Sequence, residues 1–155
     1  MKIAVITVSD RASSGVYEDL SGPAMAAAVR ERWPEAAIET EIVPDGIEAV
    51  MAALARHSGA DWILTTGGTG PSPRDLTPEA TIAYCDRLIP GLAEFCRFRS
   101  LEETPNAVFS RGAAGMKGSQ YIVNCPGSVK AAVFHARILA PLFGHGIEMA
   151  LGKGH

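Results

Sequence analysis

One stretch of this chain leaves an apolar run through glycines, turns through prolines and ends at a helix start. It reads Leu64-Thr65-Thr66-Gly67-Gly68-Thr69-Gly70-Pro71-Ser72-Pro73-Arg74-Asp75-Leu76-Thr77-Pro78-Glu79-Ala80-Thr81. Thr77 is a candidate N-cap, Pro78 suits the first helical position, and Glu79 suits the positive end of a helix. A short buried strand delivered into a helix is the building unit of an α/β sheet. The loop between them carries Thr69, Arg74 and Asp75, and its glycines let backbone N–H groups approach anionic oxygens closely. That composition suits a phosphate-bearing ligand; the alternative is a plain turn whose glycines serve backbone conformation alone. It lacks the lysine of a P-loop and the spacing of a dinucleotide fingerprint.

The rest of the chain repeats the rhythm. Residues 2–8 and 62–66 read as buried strands, 38–43 as a half-exposed strand and 121–124 as the last one. Helices are expected over 23–33, behind a possible cap at Ser21, and over 47–57, 78–88, 92–99 and 129–139. Pro34, Pro90-Gly91 and Thr104-Pro105 mark boundaries. Strands alternating with helices in this way predict a three-layer α/β/α sandwich around a mainly parallel sheet, in a single domain over residues 1–155. Ligands of such sheets sit beyond the carboxyl ends of the strands. Four polar loops follow predicted strands: 9–22, Pro44-Asp45-Gly46, 67–75 and Pro126-Gly127-Ser128. All four are therefore expected to open towards one end of the sheet.

Composition narrows the partners. Of 155 residues, 47% are hydrophobic and 20% charged, and the net charge is −3, with no basic run longer than two residues. This is no footprint for nucleic acid, so an anionic ligand must be small and locally held. The opening apolar run meets Asp10 and Arg11 too soon for a signal peptide, and no apolar stretch approaches about 18 residues. A cytoplasmic protein without membrane attachment is expected. Cys85, Cys96 and Cys125 show no zinc or disulfide spacing and read as free thiols. His57, His135, His145 and His155 form no metal-ligand pattern, and none is a candidate general base. Trp33, Trp62 and the phenylalanines read as core or interface residues.

Each candidate site residue has two readings. Ser9, Asp10, Arg11 and Ser14, in Ser9-Asp10-Arg11-Ala12-Ser13-Ser14-Gly15, offer hydroxyls and a guanidinium fork for an oxyanion, or an ordinary polar loop with a surface ion pair. Arg74 beside Asp75 reads as ligand contact or as a surface pair. Asp45 is either an Asx-turn former or half of a carboxylate pair. If Asp45 and Asp75 face one cleft they can hold Mg²⁺ against a polyphosphate, since that ion takes one or two carboxylates plus substrate oxygens. Ser128 is a helix cap whose neighbouring N–H groups can also meet an anion, with Lys130 assisting.

The segment 66–81 closely resembles the signature of molybdenum-cofactor biosynthesis proteins of the MogA/MoaB type. The opening Val8-Ser9-Asp10-Arg11-Ala12-Ser13-Ser14-Gly15-Val16-Tyr17-Glu18-Asp19, the turn Val43-Pro44-Asp45 and the turn Asn124-Cys125-Pro126-Gly127-Ser128 are similar to family landmarks, in family order. Val129 stands where many relatives have proline. The resemblance implies a molybdopterin adenylyltransferase of three-layer α/β/α fold. Such an enzyme moves AMP from Mg-ATP to the terminal phosphate of molybdopterin and releases pyrophosphate, ahead of molybdate insertion by a further enzyme. It also implies a homotrimer. Asp45 and Asp75 match the acidic positions tied to adenylylation and, with the ATP phosphates, to Mg²⁺. Gly67, Gly68, Thr69 and Gly70, together with Arg74, Ser9, Asp10, Arg11 and Ser14, and Pro126, Gly127 and Ser128, match its ligand-contacting loops. The alternatives within the family are a non-catalytic molybdopterin carrier and an oligomeric scaffold.

Overall fold

The structure, a computed structural model, describes residues 1–153; His155 lies outside the described residues. Strands β1 (Lys2–Val8), β2 (Ala37–Val43), β3 (Trp62–Thr66), β4 (Arg87–Leu88), β5 (Ala114–Lys117) and β6 (Gln120–Cys125) form one sheet in the order β2-β1-β3-β6-β5-β4. β2, β1, β3 and β6 run parallel; β5 and β4 join antiparallel at one edge. The helices are α1 (Asp10–Ser13), α2 (Ser21–Arg32), α3 (Ile47–Arg56), α4 (Thr77–Tyr84), α5 (Pro90–Ser100), α6 (Val129–Leu139) and α7 (Phe143–Ala150). Short 3-10 turns occupy Pro105–Phe109 and Ala140–Leu142.

Strand alternation distributes the core between two helical layers. Ile3, Val5, Trp62, Leu64, Tyr121 and Val123 face one way, under residues of α2, α5 and α6. Ala4, Ile6, Ile63 and Ile122 face the other way, under Val50, Ala53 and Leu54 of α3 and Ala80 of α4. In the first layer Trp62 stacks on Tyr121 with ring centroids 4.2 Å apart and tilts against Phe143 at 4.6 Å. Gly146 of α7 closes over that stack: a Cβ there would lie 2.7 Å from Trp62 Cζ2. Cys96 and Cys125 are buried free thiols, and burial raises Cys85 to about 11 and Cys96 to about 12, so all stay protonated at neutral pH. No helix among the described residues is long and apolar enough to cross a membrane.

Several local expectations give way to tertiary partners. The helix expected over 78–88 ends at Tyr84. Asp86 N–H instead donates to Met116 O at 2.8 Å, the Asp86 carboxylate takes Gly118 N–H and Lys117 Nζ, and Arg87–Leu88 pair with β5. Pro90, expected to break a helix, starts α5, where its missing N–H costs nothing. Ser21 does not cap α2: Asp19 does, taking Gly22 N–H and the Ser21 hydroxyl on one oxygen and the Thr7 hydroxyl on the other. β5, α7 and both 3-10 turns carry no strong local signal, because small residues and glycines dominate β5 and α7.

α6 contains a buried imidazole. The Ser100 hydroxyl donates to Cys96 O at 2.7 Å and meets His135 Nε2 at 2.8 Å, so the ring proton sits on Nε2. Nδ1 is buried without a hydrogen-bond partner among the described residues. Burial pushes His135 down to about 4.

Two outcomes follow for stability. Gly146→Ala wedges a methyl group against a stacked indole and is expected to destabilise by about 1–3 kcal/mol, read from the midpoint of urea unfolding. His135 protonates in the unfolded chain near its ordinary 6.5 but in the folded chain only near 4. Between those values the unfolded state binds more protons, so its contribution is intact above 6.5 and is lost as pH falls towards 4. Across that window the wild type should lose about 3 kcal/mol more than His135→Gln; parallel pH profiles of the two proteins would contradict this.

Candidate functional site

The site lies where the sheet changes direction. α2 leads from β1 to β2 over one face, and α3 returns over the other to place β3 on the opposite side of β1. Strand ends at such a switch point splay apart and leave a crevice. Here it is lined by the loops after β1, β2, β3 and β6, the four loops the sequence places together.

The glycine loop runs through the middle. Gly67 and Gly68 have φ of +107° and +65°, which L side chains rarely adopt. A side chain on Gly67 would land on the Val8 carbonyl oxygen, and one on Gly127 would come 3.2 Å from the Gly67 α-carbon. Gly67 N–H donates to Cys125 O at 3.1 Å and Thr66 Oγ1 to Pro126 O at 2.8 Å, so the β3 and β6 loops are joined directly. Beneath them, buried Asn124 donates to Thr65 Oγ1 and Thr81 Oγ1 and accepts from Ala113 N–H. Thr77 is not a helix cap: its hydroxyl donates to Gly67 O at 3.0 Å and holds the loop on the start of α4.

Asp45 and Asp75 border the same loop. A Cβ on Gly68 would lie 3.4 Å from Asp45 Oδ1, and one on Gly70 would lie 2.9 Å from Asp75 Oδ2. Asp45 is no local Asx turn. Its Oδ2 accepts Asp10 N–H at 3.0 Å while Asp10 Oδ1 accepts Asp45 N–H at 3.0 Å, a reciprocal pair that ties the β1 and β2 loops. Asp75 Oδ2 accepts Ser72 N–H, closing a tight turn over Pro73 and Arg74. Neither Asp45 nor Asp75 forms an ion pair among the described residues. The expected surface pairs are absent from this set too: the Arg11 guanidinium lies over the Tyr17 ring, and exposed Arg74 has no carboxylate partner.

The remaining residues are held by local hydrogen bonds. Ser9 Oγ accepts Ala12 N–H and caps α1, and Ser14 Oγ donates to Asp10 O. Ser128 Oγ accepts Ala131 N–H and caps α6, as its position implies. No group of three or more Asp, Glu, His or Cys able to hold a metal occurs among the described residues. The donors near the glycine loop are thus a pair of carboxylates, which suits a cation completed by phosphate and water oxygens.

The same loop also borders a cavity of about 350 Å³. Thr69, Gly70 and Pro71 form one wall, and Pro126, Ser128 and Ala131 another; Ser100, Phe109, Phe134 and His135 complete a largely apolar lining. Lys130 pairs with Glu103 at 2.8 Å at its edge, and Arg97 donates to Gly112 O at 2.7 Å. Sequence reasoning missed Arg97, Ser100 and Phe109. They lie in α5 and the following turn, far from any motif, and only packing brings them to the loop. Arg111 was missed for the same reason: it reaches the glycine loop from just before β5.

Comparisons with known proteins agree with this architecture. The family model described as "Probable molybdopterin binding domain" matches residues 4–145. The chain is 38% identical over 155 residues to the molybdopterin adenylyltransferase of Helicobacter pylori strain J99, covering 97% of this chain and 88% of the relative. A solved structure of MogA superposes with a TM-score of 0.89 at 39% identity, covering 97% of this chain and 99% of the other. The tungsten cofactor synthesizing protein MoaB from Pyrococcus furiosus superposes with a TM-score of 0.83 at 34% identity, covering 96% of each. With its glycine loop, strand-end carboxylates and apolar cavity in one crevice, the chain belongs to the family of molybdopterin-binding domains typified by MogA and MoaB.

Proposed function

We propose that this protein is a molybdopterin adenylyltransferase, which transfers AMP from ATP to the terminal phosphate of molybdopterin and releases pyrophosphate. The observation that carries the reading is one glycine loop that borders both a pair of carboxylates and an apolar cavity. Two unpaired carboxylates stand against Gly68 and Gly70, while an apolar cavity opens from Thr69 to Pro71. A triphosphate with its cation fits the first. A flat heterocycle bearing a phosphate fits the second.

In the transfer, an oxygen of the molybdopterin phosphate attacks the α-phosphorus of ATP, and the bond from that phosphorus to the β-phosphate oxygen breaks. The attacking oxygen is already anionic near neutral pH, so no general base is required. This agrees with a neutral, buried His135. What the chain must supply is alignment and charge complementarity. Asp45 and Asp75 are the residues that would hold Mg²⁺ with the ATP phosphates, and the ion would neutralise charge on the pyrophosphate leaving group. N–H groups of the glycine loop and of the turn at Gly127 and Ser128 orient the pterin phosphate. Ser9, Asp10, Arg11 and Ser14, beside Asp45, serve the nucleotide flank, with Arg74 free to reach an anion. The reading extends to a cytoplasmic homotrimer that passes its product to the molybdate-insertion enzyme. Exposed Phe98, Val108 and Phe109 provide apolar surface for association.

The test combines the purified protein with molybdopterin, ATP and Mg²⁺, followed by detection of AMP-linked pterin and pyrophosphate. Asp45→Asn and Asp75→Asn keep acceptor oxygens for Asp10 and Ser72 but remove the charge. Each should lower turnover by about 10²–10³-fold with pterin affinity retained; full activity in both would refute the assignment. Pterin binding without product in the wild type would instead indicate a carrier, and binding of neither ligand a scaffold. Ala131→Phe, which fills the cavity, should weaken pterin binding by about tenfold or more and leave ATP binding unchanged. Light scattering should give three times the chain mass; a monomer would refute the trimer.

A further inference from the structure

Arg111 reaches the glycine loop from outside and donates to it at three carbonyl oxygens. Its own N–H donates to Thr69 O at 2.9 Å. Its Nε donates to Gly70 O at 3.0 Å, and one terminal nitrogen to Asp75 O at 2.6 Å. The same guanidinium forks onto Glu79 in the first turn of α4, at 2.5 and 3.1 Å. One planar side chain therefore spans the loop from its glycines, through Asp75, to the helix that follows. Glu79 holds the fork in place, and the charge-assisted bonds raise Arg111 and lower Glu79 from their ordinary values.

We propose that Arg111 is a positioning residue that fixes the Asp75 carboxylate relative to the glycine loop. Between Gly70 and Asp75 the chain is exposed, and its own hydrogen bonds join only Ser72 to Asp75 and to Arg74 N–H. That turn is internally closed, but its own bonds alone would leave it free to pivot as a unit. The two Arg111 bonds to Gly70 O and Asp75 O remove the pivot, since they clamp the residues on either side of it. The Glu79 pair, with both side chains about two-fifths exposed, adds little stability by itself. Water can replace both carbonyl bonds at this surface, so loss of Arg111 costs little folding energy. What it removes is a fixed distance. A lysine keeps the charge but lacks a rigid fork that serves several acceptors at once.

This inference rests on the adenylyl-transfer reading of Asp75, and two readouts keep them separable. Hydrogen exchange needs no activity: Arg111→Lys should speed exchange at Ser72 and Asp75 N–H, while the strands keep wild-type protection. In the adenylylation assay Arg111→Lys should lower kcat by about 10–100-fold, with molybdopterin affinity within about twofold of wild type. Glu79→Gln keeps an acceptor for the fork and should stay within about threefold of wild-type kcat. Unchanged loop exchange in Arg111→Lys, or equal losses in Arg111→Lys and Glu79→Gln, would overturn the positioning role. A wild-type protein that transfers no AMP but shows the exchange effect would overturn the functional reading and leave the clamp standing.

Discussion

Three strand ends converge on the α-carbon of Gly67, and the site exists because nothing is attached to it. Its missing side chain leaves room for the Val8 carbonyl at the end of β1, its N–H reaches Cys125 O at the end of β6, and Gly127 packs on its α-carbon. Its own carbonyl takes the Thr77 hydroxyl and so fixes the start of α4. A side chain here would have to displace backbone, which cannot yield as a flexible side chain does, and φ of +107° already excludes an L residue at low cost. The crevice, the glycine loop and the α4 start therefore share one steric constraint.

With the loop seated in this way, it borders two chemical environments. In one, the reciprocal Asp10–Asp45 bonds and the Ser72–Asp75 turn present carboxylate oxygens, with the Arg111 guanidinium near Asp75. In the other, helices α5 and α6 meet over an apolar hollow. Carboxylate oxygens favour a cation, and an apolar hollow favours a flat ring from which water is excluded.

Much of this was legible in order along the chain. The alternation of Ile3 with Ala4 and of Trp62 with Ile63 announces strands buried on both faces. The long motif from Thr66 to Thr81 carries family resemblance through its spacing alone. Parallel strands then put Asp45, Asp75 and Ser128 at one end of the sheet without any contact being known. Where the reading failed, a distant partner decided. Asp86 left the expected helix because Met116 and Gly118 offered backbone and Lys117 a charge; Thr77 left its capping role because Gly67 O was close; Asp19 replaced Ser21 because Thr7 stood beside it.

Sequence by itself determined the layer architecture, the end of the sheet where the polar loops gather, and the loop at its centre. Those follow from periodicity, glycine and proline positions, and the short range of backbone sterics. Only the tertiary structure decided that the loop borders two environments, that Ser100, Phe109, Phe134 and His135 build the apolar one, and that Arg111 clamps the turn bearing Asp75. These contacts join residues some 30 to 60 positions apart, and such pairs leave no local pattern. They are set by how α5 and α6 pack on the sheet, where burial of whole helix faces outweighs the small preferences of individual residues.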